Sequence, residues 1–362
     1  MIKSVYIHIP FCKSICSYCN FCKMYYNEKL VDKYLVELDH EIRSKYKGEK
    51  LKTIYIGGGT PSTLNNEQLD RLIKIIQLFN LEDEYEITIE ANISDINESF
   101  LKKCKKANIN RISIGIETIN KKFFELLNRY NEKKEVINKI NLCKKYFNNI
   151  NIDLMYGFYN QTIEDLKLDL NFFKELDVSH ISIYSLILEK NTKLYINRTK
   201  SLNQELESSM YYYIINYLEN MGYKHYEISN FSKEGYNSIH NLTYWNNEKY
   251  YGFGLGSSGY IDNYRYTNTR SINKYLRGEY LLEKEILSKK TVMEEELICG
   301  LRKIEGISIV NFRKKFDEDI FNIFDIESLI KKGLLVKEED NIFIPKDKLY
   351  ISNSILINFI LD

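Results

Sequence analysis

The sequence is short of several things. It has one tryptophan, three prolines and five histidines in 362 residues. Rare residues mark positions, and Pro10, Pro61 and Trp245 each fall inside a dense local motif. The chain also lacks a charge excess: Lys and Arg total 51, Asp and Glu total 50, and the net charge is +1. Nucleic-acid binders carry a basic excess, so no nucleic-acid partner is expected. No apolar run reaches the ~18 residues of a membrane-spanning helix, so the chain is not expected to span a membrane. The start, Met1-Ile-Lys-Ser-Val-Tyr-Ile-His8, enters a strand at once and has no signal-peptide pattern. Seven cysteines, four crowded between Cys12 and Cys22 and three scattered at Cys104, Cys143 and Cys299, do not form a disulfide framework. A reducing, cytoplasmic setting fits them. The abundance of Lys, Asn and Ile reads as genome bias.

What is present begins with Cys12, Cys16 and Cys19, in Tyr6-Ile-His-Ile-Pro-Phe-Cys-Lys-Ser-Ile-Cys-Ser-Tyr-Cys19. Three thiolates in so short a segment can surround one metal centre. A structural zinc site needs a fourth ligand. A 4Fe-4S cluster held by three cysteines keeps one iron open for a small molecule. Cys22, three residues on, is either the fourth zinc ligand or a spectator thiol near a cluster. The spacing C-x3-C-x2-C after an apolar strand resembles the radical S-adenosylmethionine superfamily. There the open iron takes the amino and carboxylate groups of the methionine moiety.

Along the chain, short apolar segments alternate with helical periods. Strands are expected at Ser4–Ile9, Thr53–Ile56, Glu86–Ala91, Arg111–Ile116, Ile150–Met155 and His180–Leu186. Helical patterns intervene, among them Glu28–Tyr46, Glu67–Phe79, Glu98–Ala107, Lys121–Asn128, Lys133–Phe147 and Ile163–Leu176. Repeated βαβ units give a parallel sheet with right-handed crossovers. Six units are too few for a closed eight-stranded barrel. The fold class is therefore α/β, a partial (β/α)6 TIM-like barrel over residues 1–230, with its active face at the C-terminal strand ends. Gln204–Met221 is a further helix and Tyr223–Asn230 a further strand. Residues 231–290, rich in Gly, Asn, Ser and Tyr, are expected to be a loop-heavy connector. Residues 291–362 read as a small C-terminal helical unit ending in a hairpin, similar to a winged helix. Its acidic residues, Glu294 to Glu296 and Asp317 to Asp319, speak against DNA.

Gly57-Gly58-Gly59-Thr60-Pro61 follows the second strand. Glycines there admit close backbone approach to a ligand, although a glycine run alone also makes a plain strand–helix turn. Glu90 and Glu117 end the third and fourth strands, and Asp153 lies on the fifth. Carboxylates at that end of a barrel read as functional; Glu117 and Asp153 suit ribose hydroxyls. Arg129 suits a cofactor carboxylate. His240-Asn-Leu-Thr-Tyr-Trp245 places a histidine beside two aromatics. It reads either as a heme ligand with stacking rings or as a hydrogen-bonded core histidine. His8, His40, His180 and His225 read as structural.

Six motifs taken together carry a further resemblance. They are Tyr6-Ile-His-Ile-Pro-Phe-Cys12, Gly57-Gly-Gly-Thr-Pro61, Arg111-Ile-Ser-Ile-Gly115, Asp153-Leu-Met-Tyr-Gly157, Tyr226-Glu-Ile-Ser-Asn230 and His240-Asn-Leu-Thr-Tyr-Trp245. In this order they resemble the HemW-type heme chaperones, relatives of oxygen-independent coproporphyrinogen III oxidase. The resemblance spans roughly residues 2 to 345. It implies a radical S-adenosylmethionine barrel, a 4Fe-4S cluster on Cys12, Cys16 and Cys19, and S-adenosylmethionine held by Tyr6, Gly57, Gly58, Gly59, Glu117, Arg129 and Asp153. It also implies heme on His240 and transfer of heme to an acceptor protein. Only 11 residues precede Cys12, and Cys22 stands three rather than two residues after Cys19. Both features favour the chaperone over the oxidase. Departures exist: Glu117 replaces a usual glutamine, no histidine follows Arg129 by two residues, and Gly157-Phe-Tyr-Asn-Gln161 lacks a usual proline. Two alternatives stay open. One is a radical enzyme acting on a tetrapyrrole by decarboxylation or ring opening. The other is a tRNA- or protein-modifying radical enzyme.

Overall fold

The computed structural model describes residues 1–361. Six parallel strands form its centre: β1 (Ser4–Ile9), β2 (Lys50–Gly58), β3 (Asn80–Asn92), β4 (Arg111–Glu117), β5 (Asn149–Tyr156) and β6 (His180–Ser185). Helices α1 (Glu28–Lys45), α2 (Asn66–Ile76), α3 (Glu98–Lys106), α4 (Lys133–Lys144), α5 (Ile163–Leu176) and α6 (Gln204–Asn220) follow the successive strands. The helix starts are written locally. Asn65 and Gln68 form a capping box on α2, and Thr162 and Asp165 form one on α5.

A period of two runs through the strands. Val5, Ile7, Ile54, Ile56, Ile87, Ile89, Ile112, Ile114, Ile150, Ile152, Ile181 and Ile183 are buried and belong to one apolar core. On α1, Val31, Leu35, Leu38 and Ile42 recur at helical spacing and join the same core. The alternate strand positions carry Tyr6, His8, Tyr55, Glu90, Arg111, Ser113, Asn151, Asp153, Ser182 and Tyr184. Strands of a parallel sheet covered on both faces read as continuous apolar runs. This alternation instead gives the sheet one apolar face and one polar face. Curled as a partial barrel, the polar face becomes a lumen.

The expected loop-heavy connector is mostly strand and helix. The sheet continues through β7 (Lys224–Glu227), β8 (Asn230–Ser232), β9 (Tyr250–Phe253), β10 (Ser258–Ile261), β11 (Tyr264–Asn268) and β12 (Leu281–Ile286). The hydrogen-bonded order is β12-β11-β10-β9-β1-β2-β3-β4-β5-β6-β8-β7. Strand β9 runs parallel to β1, pairing Tyr6 with Gly252, so residues 231–290 flank the barrel directly. The glycines that suggested loops serve close approach instead. A Cβ on Gly252 would lie 1.8 Å from the Ser258 carbonyl oxygen, and one on Gly259 would strike the Tyr266 ring at 2.4 Å. Glu41 of α1, fully buried, fixes this flank. It accepts from the Gly254 N–H (2.8 Å), the Asn268 amide (2.6 Å) and the Tyr275 hydroxyl (2.6 Å). The expected single strand at 223–230 is two antiparallel strands, β7 and β8.

The C-terminal unit has helices α8 (Lys289–Gly300), α9 (Ile309–Phe316) and α10 (Ile326–Lys331). Its small sheet joins Ile307–Ser308, Val336–Glu338 and Asn341–Phe343. The acidic residues there are largely paired: Glu295 with Arg265, Glu296 with Lys315, Glu318 with Lys289 and Asp319 with Arg313.

Candidate functional site

The cysteine loop leaves β1 at the C-terminal end of the parallel strands. Cys12, Cys16 and Cys19 are free thiols lining one cavity of about 150 Å³ with Gly58, Gly59, Thr60, Glu90, Glu117, Arg129 and Asp153. Burial pushes the Cys12 thiol up to about 11 and raises Cys16 and Cys19 as well. Such thiols ionise when a cation arrives, and binding then releases protons.

Cys22 does not line this cavity. Its side chain lies by Gly256, where an added Cβ would meet the Cys22 Cβ at 2.6 Å. Its carbonyl accepts from His8 Nε2 at 2.7 Å. Zinc needs its thiolates within ~2.3 Å of one point. Among the described residues no three His, Cys, Asp or Glu side chains converge to hold a single ion. The donor set, three thiols on a cavity with no fourth, suits a cluster with an open iron.

The glycine run approaches this loop closely. A Cβ on Gly59 would lie 2.8 Å from the Phe11 nitrogen and 2.9 Å from the Ile9 carbonyl oxygen. Gly58 adopts φ 115° and donates its N–H to Glu90 Oε2 at 3.0 Å. Tyr55 donates to Glu90 Oε1 at 2.9 Å. Burial still holds the Glu90 carboxyl above its ordinary range.

Opposite stands a charged pair. The expected helix at 121–128 is a 3-10 turn followed by Phe124–Leu127, ended by Asn128 at φ 54°, which turns Arg129 inward. Arg129 donates to Glu117 (2.8 Å), Asn92 (2.7 Å) and the Gly115 carbonyl (2.6 Å). Burial opposes its charge most strongly, but Glu117, Cys16 and Tyr18 together outweigh burial and raise its pKa. Tyr18, between Cys16 and Cys19, donates to Glu117 at 3.0 Å. Glu117 and Arg129, expected to contact different parts of a cofactor, here hold each other. Asp153 accepts from Asn151 at 2.8 Å. Burial, then Glu117, pushes its carboxyl up to about 7.

Three expected residues fall outside this cavity. Gly57 lies under Glu90, with no room for a Cβ. Tyr6 stacks near Tyr55, with its hydroxyl 2.9 Å from His8 Nδ1. His240 lies at the other end of the barrel. Helix α7 (Ile239–Trp245) plugs the N-terminal strand ends: Thr243 bonds Ser4 (2.9 Å), and the Ile239 and His240 N–H groups donate to Glu86 (both 3.1 Å). His240 Nδ1 lies 2.7 Å from Thr53 Oγ1 and Nε2 lies 2.8 Å from the Tyr244 hydroxyl. Burial lowers its pKa to about 3. His240, expected as a heme ligand, is 1% exposed here and both of its ring nitrogens have hydrogen-bond partners.

The sequence reading also missed the lumen. A second cavity, about 400 Å³, runs from the cysteine loop toward α7. Its depth is polar, with Arg111, Ser113, Asn151, Ser182 and Asn241; its rim carries Phe21 and Ile187, 63% and 65% exposed. Tyr18, Phe21, Glu90, Ser113, Glu117 and Asp153 line both cavities, so the two are adjoining. The polar–isoleucine alternation was the available signal.

Comparison with known proteins adds family. Residues 6–173 match the model of the radical SAM superfamily, and residues 287–346 match the HemN C-terminal domain. The chain is 39% identical to the heme chaperone HemW of Lactococcus lactis, over 99% of this chain and 98% of that protein. It is 36% identical to the Bacillus subtilis heme chaperone HemW, over 99% of both, and 30% identical to the Escherichia coli one, over 85% of both. In fold it is similar to coproporphyrinogen III oxidase (HemN) of Escherichia coli, a radical SAM enzyme. The TM-score is 0.87 and the identity 23%, over 99% of this chain and 90% of that one.

Proposed function

Because the chain belongs to the HemW heme chaperone family of the radical SAM superfamily, we propose that it binds heme and delivers it to an acceptor protein. The observation that carries this reading is the amphipathic lumen beside the cysteine cavity. A heme is a flat apolar ring with anionic arms. The exposed Phe21 and Ile187 on the rim suit the ring, and the polar depth suits the arms. Delivery needs a difference in heme affinity between two proteins, not bond chemistry. No general acid or base is required.

Cys12, Cys16 and Cys19 would hold a 4Fe-4S cluster, and S-adenosylmethionine would lie along Gly58, Gly59, Thr60, Glu90, Glu117, Arg129 and Asp153. When bound, cluster and cofactor supply a redox centre and a source of a carbon radical. The protein's own part is to hold and shield them. Arg129 offers a guanidinium to a carboxylate, in competition with Glu117. Gly58 and Gly59 let the backbone come close, and Asp153, with Asn151, presents a carboxyl oxygen to hydroxyl groups.

A second reading has one observation in its favour. Six residues line both cavities, so a tetrapyrrole in the lumen would abut the cofactor. That arrangement suits a radical oxidoreductase acting on a tetrapyrrole. One experiment separates the two: anaerobic titration of the cluster-reconstituted protein with heme, followed by absorbance, then mixing with apomyoglobin. Stoichiometric binding and transfer, without 5′-deoxyadenosine formation from S-adenosylmethionine, support the chaperone. Absence of heme binding overturns it. Reductant-dependent 5′-deoxyadenosine formation stimulated by coproporphyrinogen III supports the enzyme.

A further inference from the structure

Arg111 opens β4 and is the largest fully buried side chain in the protein, 1% exposed. Its Nε has no hydrogen-bond partner, and its guanidinium forms no ion pair among the described residues. Other deeply buried charges are compensated. Glu41 accepts from Lys45, Asn268, Gly254 and Tyr275. Arg129 is matched by Glu117. Arg111 therefore has no carboxylate in contact with its guanidinium, and an acid that feels its charge, Glu90, is bonded to Gly58 and Tyr55.

Strand geometry brings it to the lumen. Arg111 and Ser113 share the inward face of β4, and both line the cavity with Asn151, Ser182 and Asn241. Of the four acids lining the same space, Glu90 is engaged with Gly58 and Tyr55, Asp153 with Asn151 and Glu117 with Arg129, while Glu189 is exposed to solvent. Guanidinium and carboxylate match each other as a two-pronged pair. The partner that this guanidinium lacks is a carboxylate, and the way in passes the apolar rim.

We propose that Arg111 receives a carboxylate of the molecule that enters the lumen, fixing one propionate arm of a heme. The inference rests on the heme reading and adds the receptor for the arm. It also explains why a guanidinium is kept where no carboxylate of the chain touches it: the site is complete only when loaded.

Heme dimethyl ester has the same ring and iron but no free carboxylate, and it is the probe. Wild type, Arg111→Gln and Arg111→Lys are titrated with heme and with the ester, and heme-free samples are unfolded in urea. Wild type is expected to prefer heme by about tenfold or more, the loss expected for one charge-assisted pair. Arg111→Gln should lower heme affinity to that of the ester and leave the ester unchanged. Arg111→Lys, which keeps the charge without the fork, should fall between. The heme-free Gln variant should resist urea at least as well as wild type, which a purely structural arginine would not allow. Equal binding of heme and ester by wild type overturns the inference and leaves the heme reading standing. So does full preference for heme in either variant. That result would move the carboxylates to Lys45, Lys47 and Lys284, around the tyrosine-lined cleft of about 600 Å³. If the Gln variant does not fold, the Lys variant decides by the same ratio. Wild type that binds neither compound overturns the heme reading, and this inference with it.

Discussion

Replacing His240 by alanine tests what this histidine is for. Its imidazole links Thr53 on β2 to Tyr244 on α7, with both bonds buried. Alanine leaves two hydroxyls without that partner, at about 1–3 kcal/mol each, and a void where the ring packs 5.1 Å from Tyr55. A loss of about 3–6 kcal/mol is expected, against the ~5–15 kcal/mol by which a folded domain is stable. Urea unfolding of the heme-free variant measures it. A second signature comes from pH. The folded state holds His240 at about 3, against 6.5 for the free side chain. Between these values the unfolded chain binds the extra proton, so this group's contribution falls as pH drops below 6.5. At pH 5 the deficit is about 2 kcal/mol. Alanine has no such deficit, so the gap between wild type and variant should narrow by that amount from pH 7.5 to pH 5. A variant as stable as wild type at both pH values, yet unable to bind heme, would refute the reasoning. It would return His240 to the role of ligand.

Six other substitutions address the cavity at the mouth. Gly59→Ala forces a methyl against the backbone of Pro10 and Phe11; it should cost about 1–3 kcal/mol in urea and reduce iron bound per chain after reconstitution. Iron and sulfide analysis should show near-complete loss for Cys12→Ala, Cys16→Ala or Cys19→Ala and wild-type loading for Cys22→Ala. Equal loss in all four would instead make Cys22 a ligand. Asp153→Asn removes a buried carboxyl whose folded value of about 7 exceeds the unfolded value. The native state binds that proton more tightly, so its contribution is present at low pH and is lost as pH rises through 7. The Asn variant should gain a few kcal/mol over wild type at pH 8, to order of magnitude, and nothing at pH 4. Urea midpoints at the two pH values check it.

The six central strands and most of the helices between them were legible because their signals are local. Asn65 and Thr162 begin helices with side chains that the sequence displays, and apolar residues recur at helical spacing on α1. The cysteine loop, Thr60, Glu90 and Glu117 were legible at the C-terminal ends of strands, Asp153 on the fifth strand and Arg129 as a guanidinium in the segment after the fourth, and the fold brings them to one cavity. The flank at 231–290 was not legible as strand, because Gly252 and Gly259 read as loop glycines. Each permits a contact with a residue several positions away, which spacing alone cannot reveal. Nor did spacing show that Glu117 and Arg129 would satisfy each other across a left-handed turn.

The position of His240 at the floor was also not legible, and it bears on how dense motifs are read in barrels. Conserving space at the N-terminal strand ends demands small helices, hydroxyls and a neutral ring that can bond on two sides. His240, Thr243 and Tyr244 meet that demand with Ser4, Thr53 and Glu86. The same residue types, a histidine among aromatics, also describe a heme ligand. Composition cannot tell the two ends of a barrel apart; register can. Ser4 pairs with Thr53, and Thr53 pairs with Glu86, all near the N-terminal ends of the parallel run. Any residue bonded to that row is at the floor. Residues at Glu90, Ser113 and Asn151 or beyond face the ligand end. Arg111 lies between the two, one inward position below Ser113, which is why its charge reaches the lumen and finds no partner in the floor.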